Sequence, residues 1–298
     1  CHEFGKPLVL EEVMLREPAA GELEVTIRAC AICHSDISAM DGDWGGHLPA
    51  VYGHEAAGVI TGIGADVSTY KIGDTVLVTL IRSCGHCVSC CSGKPTCCET
   101  RYDTVSGPLK TIDGKPMEQG LATGAFAEKV VVDQSQIQHI PENISMASAS
   151  LLACGVITGI GAVTNTAKVT AGATVAVIGA GGVGLNAIQG SVISGASKII
   201  AIDVTEEKLK VAKEFGATDV VLTSDDKPHR IVKKMTGGRG VDYVFVTVGS
   251  IPAYESASRF LNVGGKVVMV GMPPSGAKIA IEPVILASTS QSLSLIHI

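Results

Sequence analysis

Val175-Ala-Val-Ile178 runs directly into Gly179-Ala-Gly181-Gly182-Val183-Gly184, and this stretch decides the fold of the second half of the chain. A short β-branched run, three glycines spaced GxGxxG and a helical pattern through Ile193 form the strand, turn and helix in which that spacing has mechanical meaning. Gly179 can make the tight turn, Gly181 lets the backbone approach a pyrophosphate, and Gly184 allows close packing of helix on sheet. The helix start at Gly182 and Val183 then offers free N–H groups and a partial positive charge to the phosphates. Asp203 closes the next apolar run, Lys198-Ile-Ile-Ala-Ile202, nineteen residues past Gly184. A carboxylate there accepts both adenosine-ribose hydroxyls and repels a 2′-phosphate, so the expected cofactor is NAD rather than NADP. Lys208 stands within reach of the same ribose.

Further apolar runs follow at Asp219-Val-Val-Leu222, Tyr243-Val-Phe-Val246 and Lys266-Val-Val-Met-Val270, each separated by helical sequence. Between two of them Leu209, Ala212 and Phe215 share one helical face before Gly216 ends the helix. Strand, helix and strand in alternation imply a doubly wound parallel sheet. The first half has another rhythm. Glu24-Val-Thr-Ile-Arg28, Val59 to Ile63, Asp74 to Val78 and Glu128 to Val132 are β-branched runs cut by Gly and Pro, which reads as an all-β, barrel-like domain. The expected domains are therefore residues 1–155 and 156–298.

With 298 residues the chain is long enough for two cores. A net charge of −6 without a basic stripe excludes a phosphate-backbone binder, so no nucleic-acid partner is expected. The chain is read as having no apolar run of 18 or more uncharged residues, and hence no membrane span. Ten cysteines in a chain of this size, with no marks of a small secreted scaffold, point to metal sites in a reducing cytoplasm rather than to disulfides.

Six of the ten cysteines fall in Cys84-Gly-His-Cys87-Val-Ser-Cys90-Cys91-Ser-Gly-Lys-Pro-Thr-Cys97-Cys98. Thiolates at Cys84, Cys87, Cys90 and Cys98 can close a tetrahedron around zinc at about 2.3 Å, with no position left for substrate, which makes the site structural. Cys97 is the alternative fourth ligand. A second set is dispersed: Cys33, His54 in Gly53-His54-Glu55, and Cys154. Two thiolates and one imidazole leave zinc an open position, as a catalytic metal requires. Asp36 and Glu55 are the expected carboxylates around this metal, orienting His54 and tempering the charge. Ser35 offers a hydroxyl to carry a proton outward. The catalytic set is thus Ser35, Cys33, His54 and Cys154, and the residues expected about the two metals are Cys33, His54, Glu55 and Cys154, and Cys84, Cys87, Cys90 and Cys98.

Through Gly53-His54-Glu55, the four-cysteine lobe, Cys154-Gly-Val-Ile-Thr158-Gly and Gly179 to Gly184, nearly the whole chain resembles the zinc-containing medium-chain alcohol dehydrogenases. Their Cys₂His donor set is the family's known catalytic set. The resemblance implies a GroES-like β-barrel catalytic domain followed by a Rossmann domain, an α/β protein with two zinc ions and NAD. It implies reversible oxidation of an alcohol to an aldehyde or ketone, and a homodimer or homotetramer for the full-length form. By the same resemblance Thr158 and Val183 pack on the nicotinamide, His34 lies near the pyrophosphate, Trp44 borders the substrate pocket, and Val270 and Met272 offer main-chain groups to the carboxamide. A glutathione-dependent formaldehyde dehydrogenase, acting on S-hydroxymethylglutathione, is the near alternative. A zinc- and nucleotide-binding protein without catalysis is the distant one. Two departures stand out. Ser38 occupies a position where many relatives carry a relay histidine, and the tail from Ser288 does not read as the family's continuation, so a chain truncated at its C-terminus, without the last Rossmann strand, is expected.

Overall fold

The β-branched runs of the first half pair edge to edge. In the computed structural model, which describes residues 1–223 and 227–296, the chain divides into two compact units, Cys1–Cys154 and Gly155–Ile296, against an expected boundary after residue 155. The first unit holds β1 (Val13–Leu15), β2 (Glu22–Ala31), α1 (His34–Asp41), β3 (Ala50–Val51), β4 (Glu55–Ile63), β5 (Thr75–Thr79), α2 (Val88–Cys91), β6 (Leu109–Thr111), β7 (Glu118–Gln119), β8 (Lys129–Asp133) and β9 (Ile137–His139). Five strands form an antiparallel sheet in the order β8-β2-β4-β5-β9, while β1 pairs with β6 and β3 with β7. Register breaks between Glu24 and Val25 and between Ile27 and Ala29 bend β2 against β4. Alternate residues of these strands, among them Leu23, Val25, Ile60, Val76 and Val132, form the unit's core.

One helical stretch, Met146–Ala167, leads from the first unit into the second. It comprises α3 (Met146–Leu151), a π-helical turn at Leu152–Val156, α4 (Ile157–Gly161) and a second π turn at Ala162–Ala167. The stretch has 22 residues, a mean hydropathy of 1.8 over its most apolar window, and no Asp, Glu, Lys or Arg. That corrects the reading that no such run exists: by length and composition it is apolar enough to cross a membrane. Its many Ala, Gly, Ser and Thr residues hide it from a search for aliphatic runs. Its small side chains pack within the protein, Ala149 against Ala57 and Ile140 in the first unit and Ala162, Val163 and Ala167 in a core of the second.

The second unit continues with β10 (Thr174–Ile178), α5 (Gly182–Ile193), β11 (Lys198–Asp203), α6 (Glu206–Glu214), β12 (Asp219–Leu222), α7 (Pro228–Met235), β13 (Val241–Val246), α8 (Ile251–Ala257), β14 (Leu261–Met269), α9 (Pro283–Ser288) and β15 (Ser292–Leu295). All six strands run parallel in the order β12-β11-β10-β13-β14-β15. Side-chain alternation gives each face its own core. Val175, Val177, Ile199, Ala201, Phe245 and Val268 join one cluster, and Ala176, Ile178, Ile200, Ile202, Val244 and Val267 the other. The tail departs from expectation. Ser292–Leu295 adds to β14 as a sixth parallel strand, with Leu293 packed on one core and Ile296 on the other. Alternating serine and leucine suits an edge strand, which is why this polar segment pairs although it does not read as an apolar run.

Phe245 is the largest of the fully shielded side chains. Phe245→Ala is expected to cost about 3–5 kcal/mol, read as a lower urea midpoint for the loss of helical circular dichroism.

Candidate active site

Cys33, His54 and Cys154 come from three separate elements of the first unit. Cys33 is the N-cap of α1, where its sulfur accepts a hydrogen bond from the Ser35 N–H at 3.5 Å. Asp36, at the third helical position, reaches back to the Cys33 N–H at 3.1 Å and completes a capping box. The other Asp36 oxygen accepts from the Gly53 N–H at 3.0 Å and bonds His54 Nδ1 at 2.9 Å. Gly53 is needed where it stands, because its φ of +94° is left-handed and an added Cβ would meet the Phe126 amide at 2.5 Å. Glu55 opens β4 and is buried, and Cys154 sits buried in the π turn.

The ligating atoms of Cys33, His54, Glu55 and Cys154 lie within 4.8 Å of one another. His54 is fully buried, yet its Nε2 has no hydrogen-bond partner among the described residues. An orphaned buried imidazole nitrogen beside two thiols and a carboxylate is a donor set for a cation. The neighbouring Cys154 thiol, followed by His54, pulls the Cys33 thiol well below its usual range against the effect of burial. Burial works to lower His54, but Asp36, bonded at Nδ1, and the neighbouring Cys33 outweigh it and push the imidazole up. Asp36 therefore fixes the ring as the notion of a supporting carboxylate requires. Ser35 is half-buried at the start of α1, His34 is exposed, and Ser38 is buried.

The cysteine lobe forms a second cluster, in which the ligating atoms of Cys84, Cys87, Cys90 and Cys98 lie within 4.8 Å of one another. Cys97 lies in the preceding 3₁₀ turn and stays outside the group, as does the exposed Cys91. Backbone amides point at the sulfurs: Cys84 N–H at Cys98 and Cys87 N–H at Cys84, both at 3.3 Å, and Glu99 N–H at Cys87 at 3.4 Å. The Thr100 hydroxyl and then the His86 amide draw Cys84 down to about 5. Desolvation and then Cys87 push Cys90 up to about 12. Four cysteine sulfurs this close form a donor set for a cation. All ten cysteines are unbridged.

In the second unit the glycine loop ends β10 beside β13, where the strand order reverses and open α/β sheets bind their ligands. Gly179 has φ +96°, and a Cβ at Gly184 would stand 1.9 Å from the Gly179 carbonyl oxygen, so helix and strand touch backbone to backbone. Around Gly181 and Gly182 a Cβ would meet nothing within 4 Å, which leaves the start of α5 open to a phosphate. Asp203 also holds this loop: it is buried and accepts from the Ala180 N–H at 2.7 Å and the Thr205 N–H at 3.0 Å. Thr247 belongs to the same turn and escaped the sequence reading. Its hydroxyl donates to the carbonyls of Gly179 at 2.8 Å and Ile178 at 3.1 Å. The signal for it is topological, since it is the first residue past the strand at the reversal. Lys208 is exposed on α6, while Thr158 and Val183 are half-buried. The Val270 N–H is bonded to Val246 O at 2.8 Å, and Met272 is exposed. In the first unit Trp44 packs with Ala39, Ala50 and Tyr52.

The family model for the alcohol dehydrogenase GroES-like domain matches residues 19–142, and that for zinc-binding dehydrogenases matches residues 182–296. An alcohol dehydrogenase zinc-binding domain protein from Burkholderia ambifaria superposes with a TM-score of 0.93 at 30% identity, over 99% of this chain and 82% of that one. The chain belongs to the zinc-containing medium-chain alcohol dehydrogenase family. Membership brings with it zinc and a nicotinamide cofactor, and an oxidoreductase of the zinc-dependent dehydrogenase type. Benzyl alcohol dehydrogenase from Acinetobacter calcoaceticus is 29% identical with a TM-score of 0.88, over 95% of this chain and 79% of that one. A zinc-binding dehydrogenase from Sinorhizobium meliloti, bound to NADP, is 26% identical with a TM-score of 0.79, over 95% and 79% of the two chains.

Two comparisons test this geometry. Gly181→Ala is expected to keep the melting temperature but weaken dinucleotide binding in a fluorescence titration, whereas Gly184→Ala, which drives a methyl into Gly179, lowers the melting temperature. Cys98→Ser is expected to lose one zinc per chain by elemental analysis, and Cys97→Ser none.

Proposed function

We propose that the protein interconverts an alcohol and an aldehyde or ketone, with NAD as the hydride acceptor, at a zinc held by Cys33, His54 and Cys154. The observation that carries this reading is the buried His54 Nε2 without a hydrogen-bond partner, beside Cys33 and Cys154. Zinc supplies Lewis acidity toward an alcohol or carbonyl oxygen, and nicotinamide accepts or returns the hydride. The chain's own residues do the rest. Asp36 holds the proton on Nδ1 of His54, so that Nε2 presents its lone pair. Cys33 is favoured as thiolate by the neighbouring Cys154 and His54, with the Ser35 N–H adding to this. Glu55 adds a buried negative charge beside the donor set, and Ser35 Oγ is the group assigned to carry the substrate proton outward. No histidine takes over at Ser38, so the relay beyond Ser35 passes to solvent.

In the second unit the open amides at Gly181 and Gly182 bind the pyrophosphate, and Asp203 selects NAD. Its carboxylate is held rigid by two backbone N–H groups and is buried, so it cannot turn away from a 2′-phosphate. Lys208 is assigned to the ribose by its place five residues past Asp203, and Thr158, Val183, His34, Val270 and Met272 are assigned to the cofactor on family pattern alone. A second zinc in the Cys84, Cys87, Cys90 and Cys98 lobe braces the first unit and takes no part in the reaction.

Turnover of a panel of primary and secondary alcohols, read as NADH formation with and without glutathione, is expected to proceed without glutathione and to favour NAD over NADP. Since losing a partner that merely supports a metal ligand costs about 10–100-fold, Cys154→Ser is expected to lose more than about 100-fold in turnover together with one zinc. A Cys154→Ser protein with parental activity and zinc content overturns the assignment.

A further inference from the structure

We propose that Thr79 is a positioning residue for Cys154, setting the distance between that ligand and the start of the strand that opens at Glu55, next to His54. The proposal rests on the reading of Cys154 as a metal ligand. Thr79 is the last residue of β5 and stands in register opposite Glu55 on β4. Its Oγ1 donates to the carbonyl of Ala153 at 2.7 Å, one residue before Cys154 and 74 positions along the chain. Ala153 is fully buried and lies in the π-helical turn Leu152–Val156. Such a turn holds one residue more than an α turn and recurs at functional sites, where outside partners fix it. Relaxing it would rotate Cys154 about the helix axis, away from Cys33 and His54.

Thr79 is itself held. Gln136, fully buried, donates through Nε2 to the Thr79 carbonyl and to the Ala122 carbonyl, both at 3.0 Å. The Thr79 hydroxyl also accepts from the Ile81 N–H at 3.4 Å, which leaves its own proton for Ala153. One hydroxyl therefore joins the end of β5, opposite Glu55, to the turn bearing Cys154, and a side chain of the same shape without a donor would remove that buried hydrogen bond.

The test uses Thr79→Val, Thr79→Ser and Cys154→Ser in the whole chain. Measured are zinc content, the rate of zinc release to a chelator, the thiolate-to-metal absorption of the cobalt-substituted protein, and the melting temperature. Thr79→Val is expected to release one of its zinc ions about 10-fold faster or more, with a shifted cobalt spectrum, while Thr79→Ser restores the parental rate and spectrum. If Thr79→Val does not fold, Thr79→Ala against Thr79→Ser gives the same comparison. If Cys154→Ser loses a zinc while the variants lacking the hydroxyl keep the parental release rate and spectrum, the Thr79 proposal fails alone. So it does if they lose only melting temperature. If Cys154→Ser keeps both zinc ions, the ligand reading beneath it fails.

Discussion

The Asp36 carboxylate, fully buried, accepts the N–H groups of Cys33 and Gly53 and bonds Nδ1 of His54. A carboxylate in that position is sustainable only if its lone pairs are satisfied, and the three partners come from a helix N-terminus and the residues that lead into β4. One charge therefore fastens together the two segments that carry Cys33 and His54. It also determines which imidazole nitrogen is left to act. Removing such a carboxylate while its partners stay buried would leave amides and an imidazole unpaired, each at a cost of about 1–3 kcal/mol. The geometry of the site is thus tied to the stability of the fold around it.

The second unit depends on a contact of a different kind, the approach of α5 to β10 at Gly184. Because no side chain stands between them, the helix begins close to the sheet's C-terminal edge with its first amides uncovered. Asp203 and Thr247 then hold the loop from the two neighbouring strands, β11 and β13. The same carboxylate that is assigned to the ribose is also a brace for the glycine turn. These are not rival roles, since each carboxylate oxygen has two lone pairs and one is used by a backbone N–H.

Much of this was legible in the residue pattern. Each run of the parallel sheet announced itself because burial on both faces requires an unbroken apolar stretch, and the glycine spacing carried its meaning from the strand before it. The cysteine lobe was legible because all its thiols lie within fifteen residues. What the pattern hid has common physical causes. The strand Ser292–Leu295 half consists of serines and takes its place by edge pairing. The uncharged stretch 146–167 is built of small residues and gives no aliphatic signal. Thr247 and Thr79 are single hydroxyls at strand ends, the commonest of positions, and nothing local distinguishes them from any other.

The sequence by itself determined the fold class, the glycine turn and the presence of a cysteine lobe, because each of these depends on residues close together in the chain or on a repeated periodicity. Only the tertiary structure decided that Cys98 rather than Cys97 joins the cluster and that Asp36 rather than Glu55 holds the His54 ring. Those choices depend on the direction in which a side chain leaves a turn and on hydrogen bonds between distant strands. Spacing along the chain does not encode either.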